Sequence, residues 1–170
     1  MFAESIAVVI KILMNNHAYK FGGKLRLQKG NGSIGDRATG VIAQYVMIWW
    51  ERVFKSKLTE LNIVNDLLER YIDDINFMTE ALEPGTDYVK GKLVLKPEKI
   101  DEDNVVSADI RTMNVIRKVA DEVHDMIKFT VDAPSNHEDK KMPVLDLKVW
   151  LDEDNQSINY IFYEKPTKSK

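Results

Sequence analysis

The chain contains no cysteine, which excludes a disulfide framework, a thiolate zinc site and a cysteine nucleophile. Its redox compartment is therefore open, and an intracellular location is compatible. Proline and glycine are scarce, at 5 and 8 of 170 residues, and the remainder is 44% hydrophobic and 30% charged. That balance describes one folded, soluble α+β or α/β domain with a real core. No apolar run approaches 18 residues, so no membrane span is expected. The first fifteen residues carry Glu4 and Lys11 and lack a small-residue cleavage site after a basic start, so they do not read as a signal peptide. Positive charge is not in excess either. A net charge of −3 counts against a simple nucleic-acid coat, because phosphate binding leaves a basic footprint. No serine sits in a G-x-S-x-G elbow. His17, His124 and His137 are far apart in sequence and read as surface or satisfied core residues.

What is present falls into an order. Phe2, Ile6, Val9, Ile10 and Leu13 recur at helical spacing, and Asn15-Asn16 ends that helix. His17 to Phe21 and Lys24 to Gln28 read as strands joined by Gly22-Gly23, a hairpin signal. A glycine-rich loop, Gln28 to Asp36, runs into a second helix with Asp36 as N-cap and Ile42, Tyr45, Val46, Trp49 and Val53 on its apolar face. Trp49 and Trp50 could stack on bases, but core packing is the stronger reading for Trp49. The loop lacks a following GK[ST] and any strand-helix-acid unit, so it is neither phosphate-loop type. Residues 83–106 read as a strand, Leu93-Val94-Leu95, and a surface loop with the acids Asp101 to Asp103. Ser107 caps a third helix, with Met113, Ile116, Ala120, Val123 and Ile127 on its apolar side. After a break at Pro134 to Glu138, Leu145, Leu147, Val149 and Leu151 alternate as a strand, and Ile158 to Tyr163 mirrors them.

Between the second and third helices lies Glu69-Arg70-Tyr71-Ile72-Asp73-Asp74-Ile75-Asn76-Phe77. Two adjacent carboxylates repel each other and hydrate well, so an inward-facing pair needs a cation to offset it. Flanked by strand formers, the pair marks a hairpin tip suited to a divalent metal.

In this order the sequence resembles the reverse transcriptases of retroelements, particularly the non-long-terminal-repeat and Penelope-like kinds. Tyr71-Ile72-Asp73-Asp74 is similar to their YxDD motif, and Gln28 to Gly35 to their Gln-x-x-Gly-x-x-Met-Gly stretch. Pro143-Val144-Leu145-Asp146-Leu147 and Tyr163-Glu164-Lys165-Pro166-Thr167 resemble stretches near the palm–thumb junction. The likeness covers residues 13–170. It implies an α+β fold, a partial polymerase palm with an antiparallel sheet and packed helices, over 1–133, and palm-to-thumb strands over 134–170.

The implied chemistry is nucleotidyl transfer with Mg²⁺ or Mn²⁺, two ions clamping the attacking and leaving oxygens. On that resemblance Asp73 would be the direct ligand, Asp74 would assist it, and Tyr71 would face the primer end. Gln28, Gly32 and Gly35 would lie against the incoming deoxynucleoside triphosphate and the RNA or DNA template-primer, and Lys128 would neutralise the triphosphate. Polymerase modules tolerate the negative charge because their metal ligands are acidic.

Two departures accompany the likeness. Asn31 stands where relatives carry the first loop glycine, a residue that tolerates a left-handed backbone. The chain also begins inside the helix that, in those enzymes, follows the strand bearing a further metal-binding Asp. The expectation is a fragment lacking the fingers and the first catalytic strand, and inactive alone. Two alternatives stand beside it: a non-catalytic nucleic-acid-binding or scaffold domain of the same ancestry, and an unrelated α+β domain whose Asp pair is a solvated turn.

Overall fold

The structure is a computed structural model, and it describes residues 2–28, 32–33, 36–96, 106–152, 154 and 156–163. Asn31, Gly35, the acids 101–103 and residues 164–167 lie outside the described residues, as does what was expected of them. The chain is α+β, with three α-helices and small antiparallel sheets, and it divides into two units, 1–51 and 52–170.

In the first unit, helix α1 spans Phe2–Asn15, and the Asn16 side chain donates back to the Ile12 carbonyl at 2.7 Å, ending it. Strands β1 (Ala18–Phe21) and β2 (Lys24–Leu27) pair as the expected hairpin. Gly22 and Gly23 take φ of +60° and +74°, the two left-handed residues that a type I′ turn requires.

Helix α2 (Arg37–Glu60) starts as expected, with the Asp36 carboxylate accepting from the Ala38 N–H at 3.0 Å. Its buried stripe is Trp50, Phe54 and Leu58, spaced i, i+4, i+8. The expected face was wrong by about one residue: Trp50 is fully buried, whereas Trp49 is 47% exposed and Tyr45 70%. The cause is composition, since Val46 to Trp50 is apolar at every position and a helical period can be drawn through it in more than one way.

The end of α2 lies in the second unit and is a Schellman motif. Asn62 takes φ +55°, the Ile63 N–H reaches the Leu58 carbonyl at 2.9 Å, and the Asn62 N–H reaches that of Thr59 at 3.0 Å. Leu58 and Ile63 are both buried, which supplies the apolar contact that accompanies such caps.

Three separate sheets follow. Strands β3 (Leu67–Tyr71) and β4 (Asp74–Met78) form one hairpin. Strands β5 (Thr86–Val89) and β6 (Lys92–Leu95) form another, where only the second strand was expected. Strands β7 (Met142–Val144), β8 (Leu147–Asp152) and β9 (Ser157–Phe162) form a three-stranded sheet with β8 central. Leu145, read from its alternation as strand, sits in the β7–β8 turn at φ +53°.

Helix α3 (Ala108–Asp121) buries Thr112, Val115, Ile116, Val119 and Ala120. Ser107 is its N-cap residue by position, although its hydroxyl makes no capping bond. The helix ends six residues before Ile127, where the expected stripe closes. There His124 accepts from the N–H of Met126 through Nδ1, and Asp121 accepts from the Phe129 N–H at 2.9 Å. These side chains offer the backbone partners that compete with further helical turns.

Tyr88, Ala133, Phe54, Leu58 and Ile63 complete the core of this unit. The one buried polar side chain among the described residues, Thr112, accepts from the Leu82 N–H at 3.0 Å and so is satisfied. No helix among the described residues is long and apolar enough to cross a membrane.

Candidate metal centre at an acidic hairpin tip

The β3–β4 register pairs Leu67 with Met78, Leu68 with Phe77, Glu69 with Asn76, Arg70 with Ile75 and Tyr71 with Asp74. Strand alternation therefore puts Glu69, Tyr71, Asp74 and Asn76 on one face, and Leu68, Arg70, Ile75 and Phe77 on the other. The second face meets α2, where the Phe77 ring lies 6.1 Å from that of Phe54 between centroids. Asp74 is thus directed to the face turned away from α2.

Only two residues, Ile72 and Asp73, connect the strands. Ile72 has φ +58°, whereas Asp73 is not among the positive-φ residues. That is the pattern of a type II′ turn, whose first central position is normally glycine. A β-branched residue there is an outlier and is strained. The Arg70 guanidinium donates to the Ile72 carbonyl at 2.9 Å and braces the turn. Tyr71, Ile72, Asp73 and Asp74 are all exposed. The strand formers on either side fold the hairpin, and the turn lifts the two carboxylates to its tip.

Chemically, two adjacent exposed carboxylates suit a hard divalent ion. Mg²⁺ takes oxygen ligands, keeps several waters and is held through one or two carboxylates together with substrate phosphates. Asp73 and Asp74 supply the carboxylate oxygens that such an ion takes, side by side and exposed at the tip. Among the described residues no group of three or more His, Asp or Glu side chains is arranged to hold a metal.

Of the other expected site residues, Tyr71 sits beside the pair, opposite Asp74 in the register. Lys128 donates from Nζ to the Asp121 carbonyl at 2.9 Å, at the C-terminal end of α3, a favourable place for a cation. No strand follows it before the short 3₁₀ turn Pro134–Asn136. Gln28 and Gly32 belong to the first unit, where the Gln28 side-chain amide donates to the Gly32 carbonyl at 3.4 Å. Gly35 lies outside the described residues.

One residue that organises this loop was read from sequence as ordinary. His17 lies opposite Gln28 in the β1–β2 hairpin, its carbonyl accepting from the Gln28 N–H at 2.8 Å. Its Nδ1 is 3.3 Å from the Ser33 hydroxyl and 3.6 Å from the Asp36 carboxylate, so it ties loop to helix cap. Hairpin register was the signal that could have found it. The trio is not a hydrolase relay, because Ser33 and Asp36 approach the same ring nitrogen, whereas a relay needs the two opposite ones.

Elsewhere in the second unit the titratable groups are paired structurally. Lys118 and Lys96 both bond the Asp87 carboxylate, the latter at 2.6 Å, and hold it far below the usual carboxylate range. Burial, together with a hydrogen bond to Glu122, pushes the Tyr88 hydroxyl up to about 12. Glu122 is itself held low, chiefly by Lys57 at 3.0 Å. These pairs stitch β5, the residue that follows β6, α2 and α3 together, away from the acidic tip in sequence.

Comparison with protein-family models, with curated protein sequences and with solved structures finds nothing that matches this chain.

Proposed function

We propose that the chain is part of the palm of an RNA-directed DNA polymerase, and that Asp73 and Asp74 are its contribution to the metal site. The observation that supports this reading is the strained turn. Ile72 holds φ +58° in a position that glycine would fill without cost, directly before the exposed acidic pair. Strain of this kind persists at ligand sites more than elsewhere.

In this reading Mg²⁺ or Mn²⁺ on Asp73 and Asp74 would neutralise charge on the phosphates of a deoxynucleoside triphosphate. The Arg70 bond to Ile72 keeps the two carboxylates at the tip, and Tyr71 offers a ring beside them. The partners are a template-primer and deoxynucleoside triphosphates. Because the donor set is incomplete among the described residues, the 170-residue polypeptide alone should not extend a primer.

That no third acid joins the pair among the described residues also favours a second reading, a nucleic-acid-binding or scaffold domain of the same ancestry without catalysis. Two measurements separate the readings. Mn²⁺ added with a deoxynucleoside triphosphate should broaden the amide NMR signals of Asp73 and Asp74 in the parent chain and not in Asp73→Asn. Their persistence in the parent would overturn the metal site and leave a solvated turn. Primer extension on an RNA template should be absent, and robust extension abolished by Asp73→Ala would overturn the claim that the centre is incomplete. Template-primer binding that weakens steeply with salt, without metal broadening, would support the scaffold reading.

A further inference from the structure

Strand β9, Ser157-Ile158-Asn159-Tyr160-Ile161-Phe162, is an edge of its sheet among the described residues. Among the described residues it pairs only with β8. It carries no charge and no proline, the devices with which sheet edges are usually protected from further pairing. Its register with β8 (Leu147 with Phe162 through Asp152 with Ser157) continues to Tyr163, whose N–H reaches the Asp146 carbonyl at 2.8 Å. Hydrogen-bonded and non-hydrogen-bonded pairs alternate along such a ladder. Ser157, Asn159 and Ile161 therefore exchange bonds with β8. Ile158, Tyr160 and Phe162 direct their N–H and C=O groups outward.

The same three residues share one face of the sheet with Leu147, Val149 and Leu151, and that face is apolar throughout. Water reaches 53% of Ile158, 63% of Tyr160 and 86% of Phe162. An uncharged strand with unpaired backbone groups and large exposed side chains is a template for another strand.

We infer that the second strand is β9 of another copy of this chain, paired antiparallel about a two-fold axis through Tyr160. In an antiparallel pair, residues directly opposite lie on the same face, so a symmetric register must be centred on a residue rather than between two. Centring on Tyr160 sets Tyr160 against Tyr160 and Ile158 against Phe162 in both directions. All three outward-facing positions then meet as hydrogen-bonded pairs, with aromatic and β-branched side chains opposed. Self-complementarity of this kind is what an isologous dimer needs. The strand carries no charge, so no like charges oppose each other when two copies pair. The two three-stranded sheets become one of six strands. This inference is independent of the polymerase reading.

Light scattering after size exclusion should give twice the 19.6 kDa of the chain. Ile158→Lys and Phe162→Glu should each run as monomers, and the double variant should dimerise again, because each introduced lysine meets an introduced glutamate of the other copy. The native chain has no cysteine, so cross-linking reads the register directly. Opposed hydrogen-bonded residues have Cα atoms about 5.5 Å apart, within disulfide reach. Tyr160→Cys should therefore form a covalent dimer at least tenfold faster than Asn159→Cys or Ile161→Cys. Circular dichroism identical to the parent shows that each variant is folded. A monomer at every concentration overturns the dimer, and equal cross-linking rates or no rescue in the double variant overturns this register.

Discussion

The rings of Phe54 and Phe77 meet at 6.1 Å and 53°, joining the C-terminal third of α2 to the strand that leaves the acidic turn. Phe54 is buried and Phe77 half-buried, so the contact is part of the core as well as the support of the hairpin. Phe54→Ala should cost about 3–5 kcal/mol, the usual range for emptying a packed phenylalanine site. Urea unfolding measures it, and a loss below about 1 kcal/mol would mean that the hairpin does not lean on α2.

Ile72→Gly should stabilise the protein by about 1 kcal/mol, since glycine accepts positive φ at no steric cost. The thermal midpoint should rise by roughly 2–4 °C. If the strain serves ion binding, the same substitution should weaken the Mn²⁺ response at Asp73 while stabilising the fold. An unchanged midpoint would show that the backbone at Ile72 is not strained.

Asp87 provides a pH dependence whose sign is fixed by its partners. Its carboxyl is held well below its ordinary value, first by Lys118 and then by Lys96. A depressed carboxyl contributes stability above its unfolded value of about 3.9 and loses it as the pH falls further. Both lysines are largely solvent-exposed, so screening limits the contribution to about 1 kcal/mol. Asp87→Asn should be less stable at pH 7 by that amount, and the gap should narrow in melts run below pH 4. A gap that holds constant to pH 2 would remove the ion pairs as its cause.

Gly32 is tight against α2. A Cβ built there would lie 2.8 Å from Cβ of Thr39 and would meet the rest of that side chain more closely still. Gly32→Ala should cost about 1–3 kcal/mol, as overpacking does. A double-mutant cycle with Thr39→Ala should be non-additive, with part of the cost relieved. Full additivity would place the strain elsewhere.

The parts of this fold that were legible in the sequence are those with local causes. Gly22-Gly23 announces a turn that needs two left-handed residues, Asp36 a helix start, and the Asp73-Asp74 pair a hairpin tip. The parts that were not legible hide the same causes in unusual residues. Lys90-Gly91 closes the β5–β6 hairpin with φ of +48° and +81°, and a lysine in that place gives no turn signal. Leu145 continues a strand alternation while occupying a turn. Val115 and Val119 are buried on α3 although the expected stripe ran through Met113 and Val123. At the acidic tip, the expectation of a metal rests on residue types alone. His17, which fastens Ser33 and Asp36 within the first unit, was hidden because its role comes from strand register and not from any motif.

Helix α1 has a consequence of its own. Every residue from Glu4 to Leu13 is exposed, although Glu4 and Lys11 are the only charges along it. Fourteen residues are a marginal length for a helix that tertiary packing does not support. Its amides should therefore exchange with deuterium by local fraying, far sooner than those of the buried turns of α2 around Phe54. The same surface should bind a fluorescent apolar dye while the protein is still native, well before any unfolding transition begins.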